Sequence, residues 1–274
     1  MGAALYVWYG ILDKKRTTER GDVMQGSFLG PEIQQNSKKD NELLKGLGGE
    51  WTLLKENELP GRVAQLIADG KIVGVARGRM EWGPRALGNR SILGDARDKN
   101  MQSRMNLKIK FRESFRPFAP MVLYNDMDKY FDAAVESPYM LLTFPVLESR
   151  RLPFKNNCED MTKTINQPRS DIPAVTHLDY SARVQTVDTA RHPFMFSVLN
   201  NFKNITGCSV VVNTSFNVRG EPIVNTAADA YRCFMATDMD YVVIGSRLFD
   251  KSKQKNRQLN RDEQKKWLGR FDLD

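Results

Sequence analysis

Four short segments carry residues whose types could do chemistry, and their shared character is a gathering of cations and neutral hydrogen-bond donors. The first is EWGPRALGNRS (81–91). Gly83 and Gly88 allow close backbone approach, Pro84 stiffens the turn, and Arg85 and Arg90 are expected to project from a rigid loop. A Gly-bearing loop that follows a strand is one way to cradle a phosphate. The spacing is neither a Walker A loop nor a dinucleotide fingerprint, and an ordinary structural turn is the competing reading. The second is KIKFRESFRPFAP (108–120). Prolines after Arg116 and Ala119 disfavour helix there, so the segment is expected to run extended, anchored by Phe111, Phe115 and Phe118. Lys110, Arg112 and Arg116 would then be preorganised cations, which stabilise phosphate charge without reorganising. Spacing does not rank Lys108 against Lys110 as the phosphate contact.

The third segment is VVNTSFNVRGEP (211–222), where a β-branched run empties into Asn213, Thr214, Ser215 and Asn217. Ligands of α/β sheets collect at the C-terminal ends of strands. The same side chains could instead satisfy turn backbone. The fourth is PAVTHLD (173–179) with Arg183 and Gln185, in which His177 reads either as a proton shuttle or substrate contact or as a hydrogen-bonded structural residue. None of the four holds a Ser-His-Asp arrangement, a cysteine nucleophile with a local base, or a metal cluster. Chemistry that needs mainly positioning and charge neutralisation, such as phosphoryl or nucleotidyl transfer, fits this inventory.

The elements that must position these residues follow from periodicity and punctuation. Apolar spacing predicts a helix over 58–70 ending at Gly70, and a buried strand over 71–76. A helix over 98–110 is expected with Asp98 as its N-cap, then a strand over 119–123 and a brief helix capped by Asn125 or Asp126. Residues 183–187 alternate as a strand. Residues 193–205 form a helix with a proline at its start and Gly207 after it. Strands over 209–212 and 241–244 flank a helix over 226–235. Residues 13–50 read as a polar linker with little regular structure, and 146–172 as an irregular insertion or lid. Irregular alternation of helices and strands predicts an α/β or α+β fold with a mixed sheet.

Composition narrows the rest. The chain has 274 residues, 41% of them hydrophobic and 27% charged, with a net charge of +8. That is ordinary globular composition, neither disordered nor collagenous, and no apolar run approaches a membrane span. Eight arginines and three lysines against four acids give residues 77–116 a net charge of +7, nearly all of the excess. Arginine grips phosphate or carboxylate with a planar fork, although a solvated basic face is the bland alternative. Cys158, Cys208 and Cys233 make neither a metal pattern nor a disulfide framework, so a reducing, cytoplasmic setting and buried thiols are expected.

The runs GRMEWGPRALGNRSIL (78–93), NLKIKFRESFRPFAP (106–120), PAVTH with ARVQTV (173–187) and VVVNTSFNVRGEPIVNT (210–226) resemble, in this order, the C-terminal domain of the O-carbamoyltransferase family. That family includes nodulation-type enzymes and those that carbamoylate antibiotics. The resemblance implies a YrdC-like twisted mixed sheet flanked by helices over 29–274. It implies that residues 1–28 hold the last helix of a larger upstream domain plus a linker. It further implies formation of carbamoyl-adenylate from carbamoyl phosphate and ATP, with Mg²⁺ arriving on the nucleotide and no metal site in this chain. Lys110, Arg112 and Arg116 would act on the phosphates, with Arg85, Asn213, Thr214, Ser215, Asn217, His177 and Arg183 binding substrate or ATP. Transfer to an acceptor hydroxyl would fall to a separate or missing N-terminal domain. The alternatives are an RNA-binding module of the same fold or an inactive truncated fragment that associates through Leu5, Tyr6, Trp8 and Tyr9. The absence of aromatic RNA-reading strings disfavours the first of these.

Overall fold

A computed structural model describes residues 2–16, 22, 24–153, 167–255, 267 and 269–271. The described residues build an eight-stranded mixed sheet with helices packed on it. In chain order its strands are β2 (Thr52–Leu53), β3 (Val73–Ala76), β5 (Arg90–Asp95), β6 (Ala119–Leu123), β9 (Gln185–Val187), β10 (Val210–Ser215), β11 (Tyr241–Ile244) and β12 (Arg247–Asp250). Their spatial order is β2-β12-β11-β3-β5-β10-β6-β9. Only β11 with β3 and β6 with β9 run parallel, and the other neighbours are antiparallel. The expected mixed α/β sheet is therefore present. Two smaller pairs join β1 (Glu32–Ile33) to β4 (Gly78–Arg79) and β7 (Thr143–Pro145) to β8 (Ser181–Arg183).

Strands β3, β5 and β6 are buried along their whole length, and β10 up to Asn213, because helices cover them. Helix α3 (Leu59–Ala68) starts with a proline in its first turn and buries Val63, Ala64, Leu66 and Ile67. It packs on α5 (Pro193–Thr206), which ends at Gly207 in the left-handed region, as the proline-to-glycine spacing predicts. Each fully buried aliphatic side chain of this kind contributes roughly 1.5–3 kcal/mol. Helix α4 (Met101–Met105) approaches β5 at Gly94, where an added Cβ would lie 2.9 Å from the Met101 sulfur. Helix α6 (Ala227–Ala236) packs on β3 and β11 and opens with a complete capping box between Thr226 and Asp229.

Several expectations need correction. The 13–50 stretch is not plain linker: α2 (Lys38–Gly46) is capped by Ser37, buries Leu44 and packs on α6. Its only fully buried apolar residue is Leu44, too faint a stripe for periodicity to register. The helix over 98–110 begins at Met101 and turns into a π-helical turn at Asn106–Lys110, while Asp98 bonds the Asn100 amide outside it. The short 3-10 turn at Tyr124–Lys129 has no side-chain cap; Asp126 is engaged by Lys129 and Lys203 instead. The run 183–187 is broken at Val184, whose amide bonds Leu142 rather than a ladder partner. Cys208 and Cys233 are free and buried, whereas Cys158 and the rest of 154–166 in the suspected lid lie outside the described residues.

At the start of the chain, α1 (Gly2–Tyr6) runs on through a π-helical turn to Ile11 and buries none of its residues. Tyr6 is 68% exposed and Ile11 64%. Further on, Asp22 contacts Tyr139 and lies 3.6 Å from Arg191, which ties this part of the chain to the body. No helix among the described residues is long and apolar enough to cross a membrane.

Candidate functional site

The strand register brings the four segments to one end of the sheet. Ser215, the last residue of β10, pairs with Ser91 near the start of β5, and Asn213 pairs with Ala119 at the start of β6. Gln185, the first residue of β9, pairs with Met121 of the parallel β6. The loop 81–89, the turn 111–118, residues 177–183 and the exit 215–222 therefore all lie at the same sheet end.

From one face, Lys110 grips the strand exit. Its Nζ donates to the Ser215 carbonyl, to the Asn217 carbonyl at 2.8 Å and to Asn217 Oδ1 at 2.9 Å. Those bonds use up an ammonium's donors, and the residue is only 4% exposed. Lys110 thus shapes the site rather than presenting a free ammonium. Burial, and secondarily the Arg112 charge, pull it down to about 7. Ser215 Oγ and Asn217 Oδ1 are 2.7 Å apart, and Asn217 Nδ2 donates to the Glu221 carbonyl at 2.6 Å. Lys108 is exposed and lines a cleft of about 570 Å³ with Lys71, Asp240, Tyr241 and Lys251 at the other end of β3 and β11. Of the two lysines, Lys110 is the one that stands at the strand exit, with its donors taken by protein oxygens.

Arg112 and Arg116 stand beside this network, but not on an extended track. Phe111 adopts left-handed φ/ψ and residues 112–116 form a turn, with the Arg116 amide bonded to the Glu113 carbonyl. The organiser is Asn106, fully buried, which the sequence reading missed. Its Nδ2 donates to the Ser114 and Arg116 carbonyls, and its Oδ1 accepts from Arg112 Nε at 2.6 Å. Arg112 also lies 5.0 Å from the Phe118 ring centroid, and burial followed by Arg116 draws it down to about 10. Arg116 is half-exposed and pairs with Glu113 at 2.9 Å; Arg219 reaches the same carboxylate at 4.0 Å. Arg219 stands inside the third segment, so its charge was the available signal.

The opposite face is gripped by Asn213. Val212 pairs with Gly94, over which α4 packs, so its neighbour Asn213 faces away from α4 and Thr214 shares the face of Val212. Asn213 Nδ2 donates to the Ala86 carbonyl at 2.9 Å and to Gln185 Oε1 at 2.7 Å, while Gln185 Nε2 donates to the Leu87 carbonyl. Asn213 is 1% exposed and holds the 81–89 loop in place. Glu81 holds that loop as well, its Oε1 accepting from the amides of Leu87, Asn89 and Arg90. Arg90 does not project into solvent: it is fully buried and donates to carbonyls of Arg77, Gly78, Asn89, Pro31 and Asn225.

That leaves Arg85 half-buried on a braced loop, beside a second guanidinium. Burial and then the Arg85 charge lower Arg183 from its ordinary value. Arg183 Nε is buried and has no hydrogen-bond partner among the described residues. His177 lies in the same field, lowered by burial first, with Asp179 opposing and Arg183 and Arg169 adding to the fall. Two like charges held together suit an anion that neutralises both.

The domain is thus an α/β sheet with guanidiniums gathered at one end, an arrangement that suits anions. Residues 64–251 match the family model described as the carbamoyltransferase C-terminus. The chain therefore belongs to the carbamoyltransferase family and carries its C-terminal region. It is 47% identical over its whole length to the uncharacterized protein sll1178 of Synechocystis, covering 44% of that protein. It is 38% identical over 83% of its length to nodulation protein NolNO of Sinorhizobium fredii, covering 31% of it. It is 35% identical over 74% of its length to the 3'-hydroxymethylcephem-O-carbamoyltransferase of Amycolatopsis lactamdurans, covering 35% of it. The chain thus spans less than half of each of these relatives. Among solved structures, a variant of Sua5 from P. abyssi aligns with a TM-score of 0.47 at 16% identity, over 70% of this chain and 50% of that one.

Proposed function

We propose that this region forms carbamoyl-adenylate from carbamoyl phosphate and Mg-ATP on a YrdC-like sheet, for transfer to an acceptor hydroxyl elsewhere in a longer chain or in a partner chain. The supporting observation is that two sets of cations, Arg112 with Arg116 and Arg85 with Arg183, flank the one strand exit that Lys110 and Asn213 clamp. In the reaction, water hydrolyses carbamoyl phosphate to carbamate and inorganic phosphate. A carbamate oxygen then attacks the α-phosphorus of ATP, the bond to the bridging oxygen breaks, and pyrophosphate leaves with the Mg²⁺ that the nucleotide brought. The arginines neutralise the two phosphate groups in turn, and the clamped exit supplies hydroxyl and amide contacts from Ser215 and Asn217. His177 stands where it could contact substrate beside Arg183, and Thr214 would take part from the α4 side of β10.

The test is exchange of labelled pyrophosphate into ATP. Exchange that requires carbamoyl phosphate, and that falls at least about a hundredfold in Arg116→Ala with the fold intact, supports the reading. No exchange from the folded protein, alone or together with the N-terminal portion of a longer relative, overturns it.

A further inference from the structure

Residues 22–33 precede the stretch that matches the family, yet they are bound to the loop that carries Arg85. The Trp82 amide donates to the Ser27 carbonyl at 2.6 Å, the Met80 amide to the Pro31 carbonyl at 2.8 Å, and the Gly30 amide to the Met80 carbonyl at 2.9 Å. Arg79 adds two bonds, from Nε to the Phe28 carbonyl at 3.1 Å and from Nη2 to the Leu29 carbonyl at 2.7 Å. The strap thus runs along the entry of loop 81–89. Its Phe28 side chain reaches the exit of the same loop. There it packs with Tyr139 on the cluster of Leu87, Ala119 and Met140, and its ring meets His192, the side chain that crowds Gly88, edge-on at 4.9 Å.

The strap's own shape is held from one end. Gln25, Gly26 and Ser27 all take positive φ, of 50°, 67° and 65°. Left-handed geometry is costly for Gln25 and Ser27, so it persists only where neighbours impose it. At Gly26 an added Cβ would lie 2.6 Å from the Phe28 ring. The neighbour that imposes the turn is Asp22. Its Oδ1 accepts from the Met24 amide at 3.1 Å and its Oδ2 from the Gly26 amide at 2.8 Å. The same carboxylate accepts from the Tyr139 hydroxyl and lies 3.6 Å from Arg191 Nε. One side chain therefore sets the turn and fastens it to the body of the domain.

We propose that residues 22–33 are part of the anion site, with Asp22 as a positioning residue: its carboxylate latches the left-handed turn, the turn presents the Ser27 carbonyl and Phe28 to loop 81–89, and the loop places Arg85. The hold on the loop stands without any substrate; that Arg85 meets phosphate rests on the proposed function.

Two measurements on the full chain test this: amide hydrogen exchange by mass spectrometry, and calorimetric affinity for inorganic pyrophosphate. Asp22→Ala leaves Arg191 its ion pairs with Glu136 and Asp188, so the fold is expected to stay intact. Exchange over 80–90 is expected to quicken at least about tenfold while peptides from β10 stay as slow as in wild type, because the loosening is local. Pyrophosphate affinity is expected to fall at least about fivefold, with no further fall when Asp22→Ala is added to Arg85→Ala. Quickening that β10 shares marks general destabilisation and overturns the proposal. Unchanged exchange over 80–90 overturns it as well, as does an unchanged affinity or a loss that adds fully to that of Arg85→Ala. Should Asp22→Ala not fold, Tyr139→Phe, which removes one partner of the latch, is judged by the same outcomes. If wild-type protein does not bind pyrophosphate, the functional reading fails while exchange over 80–90 still judges the strap.

Discussion

Lys110 holds Asn217 twice, through its backbone carbonyl at 2.8 Å and its side-chain oxygen at 2.9 Å. This double hold makes the lysine a fastener between the π-helical turn after α4 and the exit of β10. Replacing it with an uncharged side chain of similar length leaves buried oxygens without donors. Lys110→Met is expected to lower unfolding free energy by about 2–4 kcal/mol in a urea titration and to abolish pyrophosphate exchange. A variant as stable as wild type would contradict the fastener role.

The loop 81–89 offers a contrast between two glycines. At Gly88, φ is +128° and an added Cβ would lie 2.5 Å from His192 Nε2 and 2.6 Å from Met195 Cγ. At Gly83, φ is +130° with nothing within 4 Å. Gly88→Ala combines strain with overpacking and is expected to cost about 3 kcal/mol, while Gly83→Ala carries strain alone, about 1 kcal/mol. Thermal unfolding of the two variants measures the gap.

Acid sensitivity should come in part from His192. It is buried, its Nδ1 accepts from the Met195 amide, and burial together with the Arg77 charge draws it down to about 3 from 6.5. Between those values the unfolded chain binds a proton that the folded chain refuses. The stability from this group is complete above about pH 6.5 and is lost as pH falls toward 3, at about 1.4 kcal/mol per unit. His192→Gln removes that slope. Its loss of stability between pH 7 and pH 5, measured by urea unfolding, is expected to be about 2 kcal/mol smaller than in wild type.

Arg85 and Arg183 repel one another in the free protein. Removing either should therefore leave stability unchanged within about 0.5 kcal/mol, or raise it, while exchange falls at least about tenfold. A drop in stability parallel to the drop in activity would mark these arginines as structural.

What the sequence revealed, and what it hid, follows from the reach of each signal. Helix α5 was readable because its proline, apolar spacing and glycine all lie within the element. Strand β10 was readable because its β-branched run ends abruptly in small polar residues. The basic segment misled because charge says nothing about direction. Arg90 and Arg77 are buried among carbonyls and Glu56, Arg97 is spent on Asp95, and Arg104 on Asp98 and the Gly70 carbonyl. The site cations that remain, Arg85, Arg112 and Arg116, are picked out by their neighbours, not by their type. Asn106 was invisible for the same reason: its three hydrogen bonds run to a turn that only the folded chain brings against it. The reading of 111–118 as extended failed because prolines restrict only the residue before them, leaving the turn at Arg112–Phe115 free to form.

Strand β10 is laddered on both sides, to β5 and to β6. Amides so enclosed exchange with solvent only when the whole domain opens. The hydroxyl and amide contacts offered at its exit are therefore anchored to a strand held on both sides, whereas the arginines arrive on a loop and a turn fastened by the side chains of Asn213, Glu81 and Asn106. Over evolutionary time such a division would let loop substitutions retune ligand preference while the frame on which the ligand is aligned stays put.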